Sequence, residues 1–162
     1  MDGSLICTLL DKGNLPAALA EISDQNLLVS LACDFGRRVV ALGPDPARSI
    51  RWLQETRNYR LDPEAARDAT EEALAAWSRA AEDNAPTWLA ARAVSWATKV
   101  ATEADPRWVA GLAAWAAKEA AKGPQAELAW QIAHVRASAC PYSASLSSPI
   151  DDTRSRTSLL AC

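Results

Sequence analysis

The chain has 162 residues, of which 49% are hydrophobic and 23% charged, and its formal net charge is -3. This length is typical of one domain with a core of its own. The acidic balance disfavours general nucleic-acid binding, because that draws much of its affinity from Lys and Arg side chains that neutralise phosphates. No run of about 18 apolar residues occurs, so the sequence contains no candidate membrane span.

The first residues, MDGSLICTLLDKG, carry an acid where a signal peptide would have a basic segment. We therefore expect a cytoplasmic protein. The four cysteines, Cys7, Cys33, Cys140 and Cys162, lie far apart, and none has zinc-ligand spacing to another Cys or to His. We expect free thiols, and a Cys140–Cys162 pair formed under oxidation is the alternative.

Helix starts are marked by an Asp that accepts the first free N–H groups and a Pro with a preset φ angle. This pair occurs at Asp45-Pro46, Asp62-Pro63 and Asp105-Pro106, and weaker starts follow Asn14 and Asn84. Helix ends are expected at Gly43, Gly123-Pro124 and Pro141.

These marks and the 3.6-residue period predict helices near 15–22, 25–41, 46–58, 63–82, 86–103, 106–122 and 125–139. No stretch alternates with period two long enough to form a strand. We predict an all-α protein: a compact single-domain bundle of about six to seven antiparallel helices over 1–140, without a sheet. Residues 141–162 are rich in Ser and are expected to form a C-terminal tail.

The helix predicted at 63–82 has an apolar stripe that includes Leu74 and Trp77, and its acids lie on the opposite face. Trp96 lies on the apolar stripe of helix 86–103, and we expect Trp77 and Trp96 to fill the core. Its segment from Asp62 to Asp83 carries seven acids and two Arg, a balance of -5. The preceding segment from Arg37 to Arg60 carries six Arg and two acids, a balance of +4. Either the two segments complement one another, or the basic one meets an acidic partner.

Several of the seven tryptophans fall off the predicted apolar stripes, on faces with charged neighbours. Trp, Tyr and Arg dominate the energy of protein interfaces, so these faces are candidate contact surfaces. The candidate partner-binding residues are Arg48, Trp52, Trp88, Arg92, Trp108, Trp115, Glu127, Trp130 and His134. We expect Trp88 and Trp130 to be the most exposed, and the face of Trp130, which includes Gln131, to be wet. The alternative is that each of these indoles is buried with its N–H bonded.

Catalysis is not indicated. The sequence has no G-x-S-x-G, Walker or G-x-G-x-x-G motif, and His134 is its only histidine. The acids of helix 63–82 face outward, whereas a carboxylate–metal site in a bundle needs acids that project inward. We predict no catalytic residues, no metal ligands and no cofactor.

Several segments resemble a known family. LLVSLACDFGRRVV at 27–40, followed by GPDPARSIRWLQ at 43–54, looks like the opening of the immunity proteins of bacterial polymorphic toxin systems. The Ala-rich segments 90–101 and 110–121 and the closing ELAWQ at 127–131 are also similar, so that the resemblance covers about 27–137. Tryptophans within the Ala-rich helices depart from the pattern, and the 141–162 tail has no counterpart in it.

What the resemblance implies is a cytoplasmic bacterial protein that binds and neutralises a toxin made by the same cell by covering its active surface. The expected partner is therefore a protein, with no membrane and no nucleic acid involved. Two alternatives stay open. One is an inhibitor or adaptor subunit of another complex, such as a defence system, encoded by a phage or host, and the other is a homo-oligomeric helical protein in which the tryptophan faces pair.

Overall fold

The computed structural model describes residues 3–80 and 84–140, and the regular structure in these stretches is entirely helical, which confirms the all-α prediction. Eight α-helices are present in them, slightly more than the six to seven expected, and one 3-10 turn at Val40–Leu42 follows the third. The helices are α1 Gly3–Asp11, α2 Leu15–Ala20, α3 Gln25–Val39, α4 Pro46–Arg57, α5 Pro63–Arg79, α6 Ala85–Lys99, α7 Pro106–Ala120 and α8 Pro124–Ala139. The tail predicted at 141–162 lies outside the described residues. None of the described helices combines the length and the apolar character needed to cross a membrane.

The additional helix is α1. It lies in the N-terminal segment, where no helix was predicted from the sequence. It forms because Ile6 and Leu10, one turn apart, are both buried against the rest of the bundle. The Asp-Pro pairs coincide with the starts of α4, α5 and α7, and the weaker marks at Asn14 and Asn84 with those of α2 and α6. Asp45 accepts from the Arg48 backbone N–H at 3.1 Å and Asp62 from that of Ala65 at 3.0 Å. At α7, by contrast, the Asp105 carboxylate accepts from Arg107 Nε at 3.2 Å and caps no backbone group.

The core is centred on α3, which contacts α4, α6, α7 and α8. Phe35 of α3 is fully buried. A Cβ at Gly36 would lie 3.2 Å from the Cβ of Ala97 and 3.4 Å from a methyl carbon of Leu53, so a larger residue there would separate α3 from α6 and α4. Small residues thus allow the central helices to approach closely.

The packing of α5 differs from its predicted face in one respect. Leu74, expected in the core, is an exposed apolar residue. The side of α5 that packs on α4 and α6 is instead centred on three buried alanines, Ala66, Ala69 and Ala73. Because only alanine side chains separate α5 from α4 and α6, the helices are too close for a leucine to fit between them. Leu74, which follows Ala73, therefore stays outside this contact.

The basic and acidic segments meet where α4 packs on α5. Arg51 Nη2 lies 3.4 Å from Glu72 Oε2, and the same oxygen accepts from Trp52 Nε1 at 2.8 Å. These contacts favour the interpretation that the two segments complement one another, because a basic α4 residue and an acidic α5 residue are paired within the chain.

The cysteines depart from the expectation of four free thiols. Cys7 of α1 and Cys140, just after α8, form a disulfide with their Cα atoms 6.3 Å apart. The alternative partner of Cys140, Cys162, lies outside the described residues. Cys33 is a buried thiol that donates to the Leu53 carbonyl at 3.6 Å. Burial raises the pKa of the Cys33 thiol to about 12, so it stays protonated and unreactive in the folded protein.

The bridge joins residues 133 positions apart, so it restricts the unfolded chain strongly. We predict that reduction lowers the free energy of unfolding by about 2–4 kcal/mol, measured by urea unfolding with and without dithiothreitol. A Cys7→Ser, Cys140→Ser variant serves as control and should not respond to the reductant. Detection of four reactive thiols in the unfolded, unreduced protein would contradict the pairing.

Candidate protein-binding surface

The nine residues predicted from the sequence to bind a partner lie in three separate places. Two lie on α4, three on α8 and four on the neighbouring helices α6 and α7. In that order they are Arg48 and Trp52; Glu127, Trp130 and His134; and Trp88, Arg92, Trp108 and Trp115. The structure therefore does not bring them together into one surface.

The α4 pair is poorly suited to binding. Trp52, expected on a wet face, is only 3% exposed. The expectation was wrong because α5 covers that side of α4, and Glu72 of α5 supplies the acceptor for the indole N–H. Arg48 is exposed but lies 3.9 Å from Asp45, a carboxylate of its own helix start.

The α8 residues pack mainly against α3. The ring of Trp130 stacks on that of His134, with centroids 4.7 Å apart and planes 12° apart. The guanidinium carbon of Arg38 lies 4.3 Å from the Trp130 ring centroid, and Phe35 meets the ring edge-on. Trp130 is therefore half-buried between helices, and it is not the freely exposed residue that the helical pattern predicted.

Polar side chains continue this contact across α8. His134 Nε2 lies 2.7 Å from Asp34 Oδ2, and Asp34 also pairs with Arg57 of α4. Glu127 is 5% exposed and accepts from Arg38 at 3.1 and 3.2 Å. The polar face of α8 is thus not wet: α8 contacts α1, α3 and α7, so its polar residues bond to protein.

Gln131 shows the same burial on the α7 side. It is 1% exposed and donates to the Ala114 carbonyl at 2.9 Å. In the described part of the chain, the His134 imidazole has no hydroxyl or thiol partner, and no three His, Cys, Asp or Glu side chains are grouped to hold a metal ion. The α8 residues therefore connect helices, and nothing described beside them supplies a nucleophile.

The α6 and α7 residues belong to a larger aromatic group that we call the tryptophan cluster. It consists of Trp77 on α5, Trp88 and Trp96 on α6, and Trp108 and Trp115 on α7. The Trp77 ring centroid lies 5.8 Å from that of Trp88 and 5.9 Å from that of Trp96, and the Trp96 and Trp108 centroids are 6.5 Å apart. One continuous aromatic surface thus crosses three helices. Trp77 and Trp96, expected to fill the core, are only partly buried members of it.

Two members of the cluster face the solvent on α7. Trp108 is 67% exposed and Trp115 is 42% exposed, more than any other described tryptophan. Trp88, expected to be among the most exposed, is instead partly buried, because it packs against Trp77 and Arg92. Trp108 and Trp115 are seven residues apart, about two helical turns, and so lie on one face of α7. Gly111 lies between them, and a Cβ there would have no neighbour within 4 Å. The missing side chain leaves an open space between the two indoles.

That space forms a groove of about 470 Å³ between α2 and α7. Pro16 and Ala20 form its α2 side, and Trp108, Gly111, Leu112 and Trp115 form its α7 side. We call it the α2–α7 groove. A smaller hollow of about 170 Å³ shares Pro16, Gly111 and Trp115 with it and extends toward α8.

Arg92 connects the groove with the rest of the cluster. Its guanidinium carbon lies 5.3 Å from the ring centroids of Trp77 and Trp88 and 5.2 Å from that of Trp115. These distances are within the range of cation–π attraction. Trp115 therefore belongs both to the groove and to the aromatic surroundings of Arg92.

The burial of the indoles predicts that two truncations lower the free energy of unfolding by different amounts. Trp130→Ala should lower the free energy of unfolding by about 1–3 kcal/mol, because it removes the contacts with Phe35, Arg38 and His134. Trp108→Ala should lower it by less than about 1 kcal/mol, since its ring is mostly in water. Urea unfolding of both variants tests the difference, and equal losses would contradict the burial described here.

No protein-family model, no curated protein and no solved structure matches the chain. The resemblance to immunity proteins therefore stays a prediction from the sequence. Evidence about function comes from the geometry of the tryptophan cluster and the α2–α7 groove.

Proposed function

We propose that this chain is a protein-binding module whose contact surface is the exposed part of the tryptophan cluster together with the α2–α7 groove. The observation that carries the proposal is the exposure of Trp108 and Trp115 on the two sides of an open groove. Exposing two indoles to water is unfavourable for an isolated chain, and aromatic side chains are enriched in protein interfaces.

The construction of the groove also supports binding. Trp108, Gly111 and Trp115 lie on the 15-residue helix α7, whose inner side is held by buried alanines such as Ala113 and Ala117. A contact surface on a packed helix loses little conformational freedom when a partner binds, so more of the contact energy contributes to affinity. The open space at Gly111 can accept a large apolar side chain between the indoles.

The kind of partner is proposed from the sequence resemblance. We propose that the chain is an immunity protein, which binds a toxin produced by the same cell and covers its active surface, in the cytoplasm. An adaptor or inhibitor of another complex would use the same surface. Disulfides are rare in cytosolic proteins, so in the cytoplasm we expect the Cys7–Cys140 bridge to form only transiently, under oxidation.

A second copy of the chain is the alternative occupant of the groove. If the tryptophan faces paired with each other, the isolated protein would be a dimer, and Trp108→Ala would convert it to a monomer. Light scattering of the purified full chain measures this directly, and a monomer excludes the homo-oligomer.

The first binding prediction concerns the indoles. A Trp108→Ala, Trp115→Ala variant should lose the partner proteins that the wild-type chain retains from source-cell extract, with affinity falling at least about 100-fold. Leu61→Ala is the matched control, because Leu61 is an exposed apolar residue on the link between α4 and α5. Quantitative mass spectrometry of the retained proteins is the measurement. Equal recovery by wild type and the double variant would rule out this surface.

The second prediction fills the groove without removing an indole. Gly111→Met should abolish binding, since its side chain would occupy the open space, while the fold stays intact. Gly111→Ala is the control: it should keep binding and raise the free energy of unfolding by about 0.5–1 kcal/mol, as expected for a helix-interior glycine. Undiminished binding by Gly111→Met would show that the groove is not used.

The immunity proposal has its own test. Co-expression of the wild-type chain with the product of the adjacent gene should restore growth if that product is the toxin, and the Gly111→Met variant should fail to do so. If the wild type and the Gly111→Met variant restored growth equally, the chain would confer immunity without using this groove.

A further inference from the structure

Arg92 has aromatic neighbours but no charged partner among the described residues. Three indole rings surround its guanidinium at 5.2–5.3 Å, yet no described carboxylate lies within 4.0 Å of it, and it makes no hydrogen bond to the described residues. Its Nε is sealed from solvent without a partner. A guanidinium has five N–H donors, and leaving one buried and unpaired costs free energy.

Two indoles of the cluster add further unpaired donors. Trp77 Nε1 and Trp96 Nε1 are also sealed and unpartnered, so Arg92 and the cluster account for three of the five such atoms among the described residues, and all three are donors. The other two are acceptors, Oε1 of Glu127 and Oε1 of Gln131, and they lie on α8. The tryptophan cluster thus lacks acceptors as a group.

Other cations near the cluster are already neutralised. Lys99 lies 3.2 Å from Glu103, Arg107 lies 3.2 Å from Asp105 and Lys118 lies 3.3 Å from Glu119. Among the residues that the structure describes, Arg92 therefore leaves an uncompensated positive charge next to the indoles. Its Nη nitrogens make no hydrogen bond and are not among the sealed atoms, so an acceptor can reach them from the solvent.

A carboxylate is the group that best suits this environment. It accepts two parallel N–H bonds from a guanidinium, and the surrounding indoles lower the local dielectric and strengthen the pair. Because Trp115 contacts both Arg92 and the α2–α7 groove, a chain that places a carboxylate at Arg92 can place an adjacent apolar side chain in the groove.

We propose that the partner presents an acidic peptide segment: an Asp or Glu whose carboxylate pairs with Arg92, next to a large apolar side chain that lies between Trp108 and Trp115. This inference rests on the proposed function and names the chemistry of the segment that the surface recognises. The occupant is a single peptide carboxylate and not a nucleic-acid backbone, since Arg92 offers one cation and the chain is acidic overall, with a net charge of -3.

Selection from a phage-displayed library of random peptides on the full chain tests the proposal. We expect the wild type to enrich peptides with Asp or Glu close to Trp, Phe or Leu. Arg92→Gln should keep the apolar preference and lose the acidic one. Arg67→Gln is the matched control, because Arg67 is an exposed α5 arginine without a described ion pair, and it should select as the wild type does.

A double-mutant cycle with one selected peptide then measures the pair. Replacing its acid by the corresponding amide should weaken binding to the wild type about 10- to 100-fold and leave binding to Arg92→Gln nearly unchanged. An equal loss on both proteins would overturn the proposal, as would the absence of acidic enrichment. If Arg92→Gln is unfolded, as judged by circular dichroism, Arg92→Lys replaces it, because Lys keeps the charge but cannot make the two parallel bonds. If replacing the peptide's acid by the amide weakened binding to Arg92→Lys as much as to the wild type, the proposed pair would be contradicted.

Two outcomes separate this inference from the proposed function. If peptides without acids bind the wild type and not the Trp108→Ala, Trp115→Ala variant, the Arg92 pairing fails and the binding surface stands. If selected peptides bind that variant as well as the wild type, both fail. The chain also has two acids, Glu82 and Asp83, between α5 and α6 in the sequence. If a Glu82→Gln, Asp83→Asn variant selected acidic peptides and the wild type did not, the carboxylate that pairs with Arg92 would belong to the chain itself, and the proposal would be overturned.

Discussion

The close approach of α6 and α7 is the constraint on which the surface depends. Ala90, Ala93 and Ala97 on α6 and Ala110, Ala113 and Ala117 on α7 are all buried. Two helices separated by methyl groups lie near the lower end of interhelical distances, and the space between them excludes larger side chains. The indoles of these helices therefore lie along the border of the contact. Trp77 of α5 meets Trp88 and Trp96, Trp96 meets Trp108, and Arg92 lies beside Trp115.

Alanine and tryptophan thus have complementary roles in this chain. The alanines bring three helices together, and the indoles cover the edge of the contact without completing it, because the groove beside Gly111 stays open. A surface optimised only for stability would satisfy the donors of Arg92, Trp77 and Trp96 internally. Departures of this kind from local balance are expected at functional sites, where a partner supplies the missing groups.

Much of the fold could be predicted from the sequence, because the signals that start a helix lie in residues next to one another in the chain. The Asp-Pro pairs at 45–46, 62–63 and 105–106 coincide with the starts of α4, α5 and α7. The helix α1 was missed because it carries no comparable start signal and is held by tertiary burial of Ile6 and Leu10. The Cys7–Cys140 bridge was missed for a related reason, since it depends on where two distant chain segments meet.

The candidate site was less predictable, since a helical wheel shows which residues share a face but not what covers that face. Trp108 and Trp115 are candidates that lie exposed, whereas Trp52 and Glu127, chosen from the same kind of pattern, are buried by α5 and α3. Trp77 and Trp96 were assigned to the core because they lie on apolar stripes, although those stripes end at the border of the bundle. The α2 side of the groove, formed by Pro16 and Ala20, had no sequence signal.

We propose above all that a partner protein binds between Trp108 and Trp115. Replacing Leu112, which lines the groove there, with a photoreactive benzophenone amino acid in the source cells tests this claim most directly. On irradiation we expect a discrete covalent adduct between the chain and one partner protein. We expect no such adduct when the same amino acid replaces the exposed Leu61. An adduct formed from position 61 with none from position 112 would contradict this proposal.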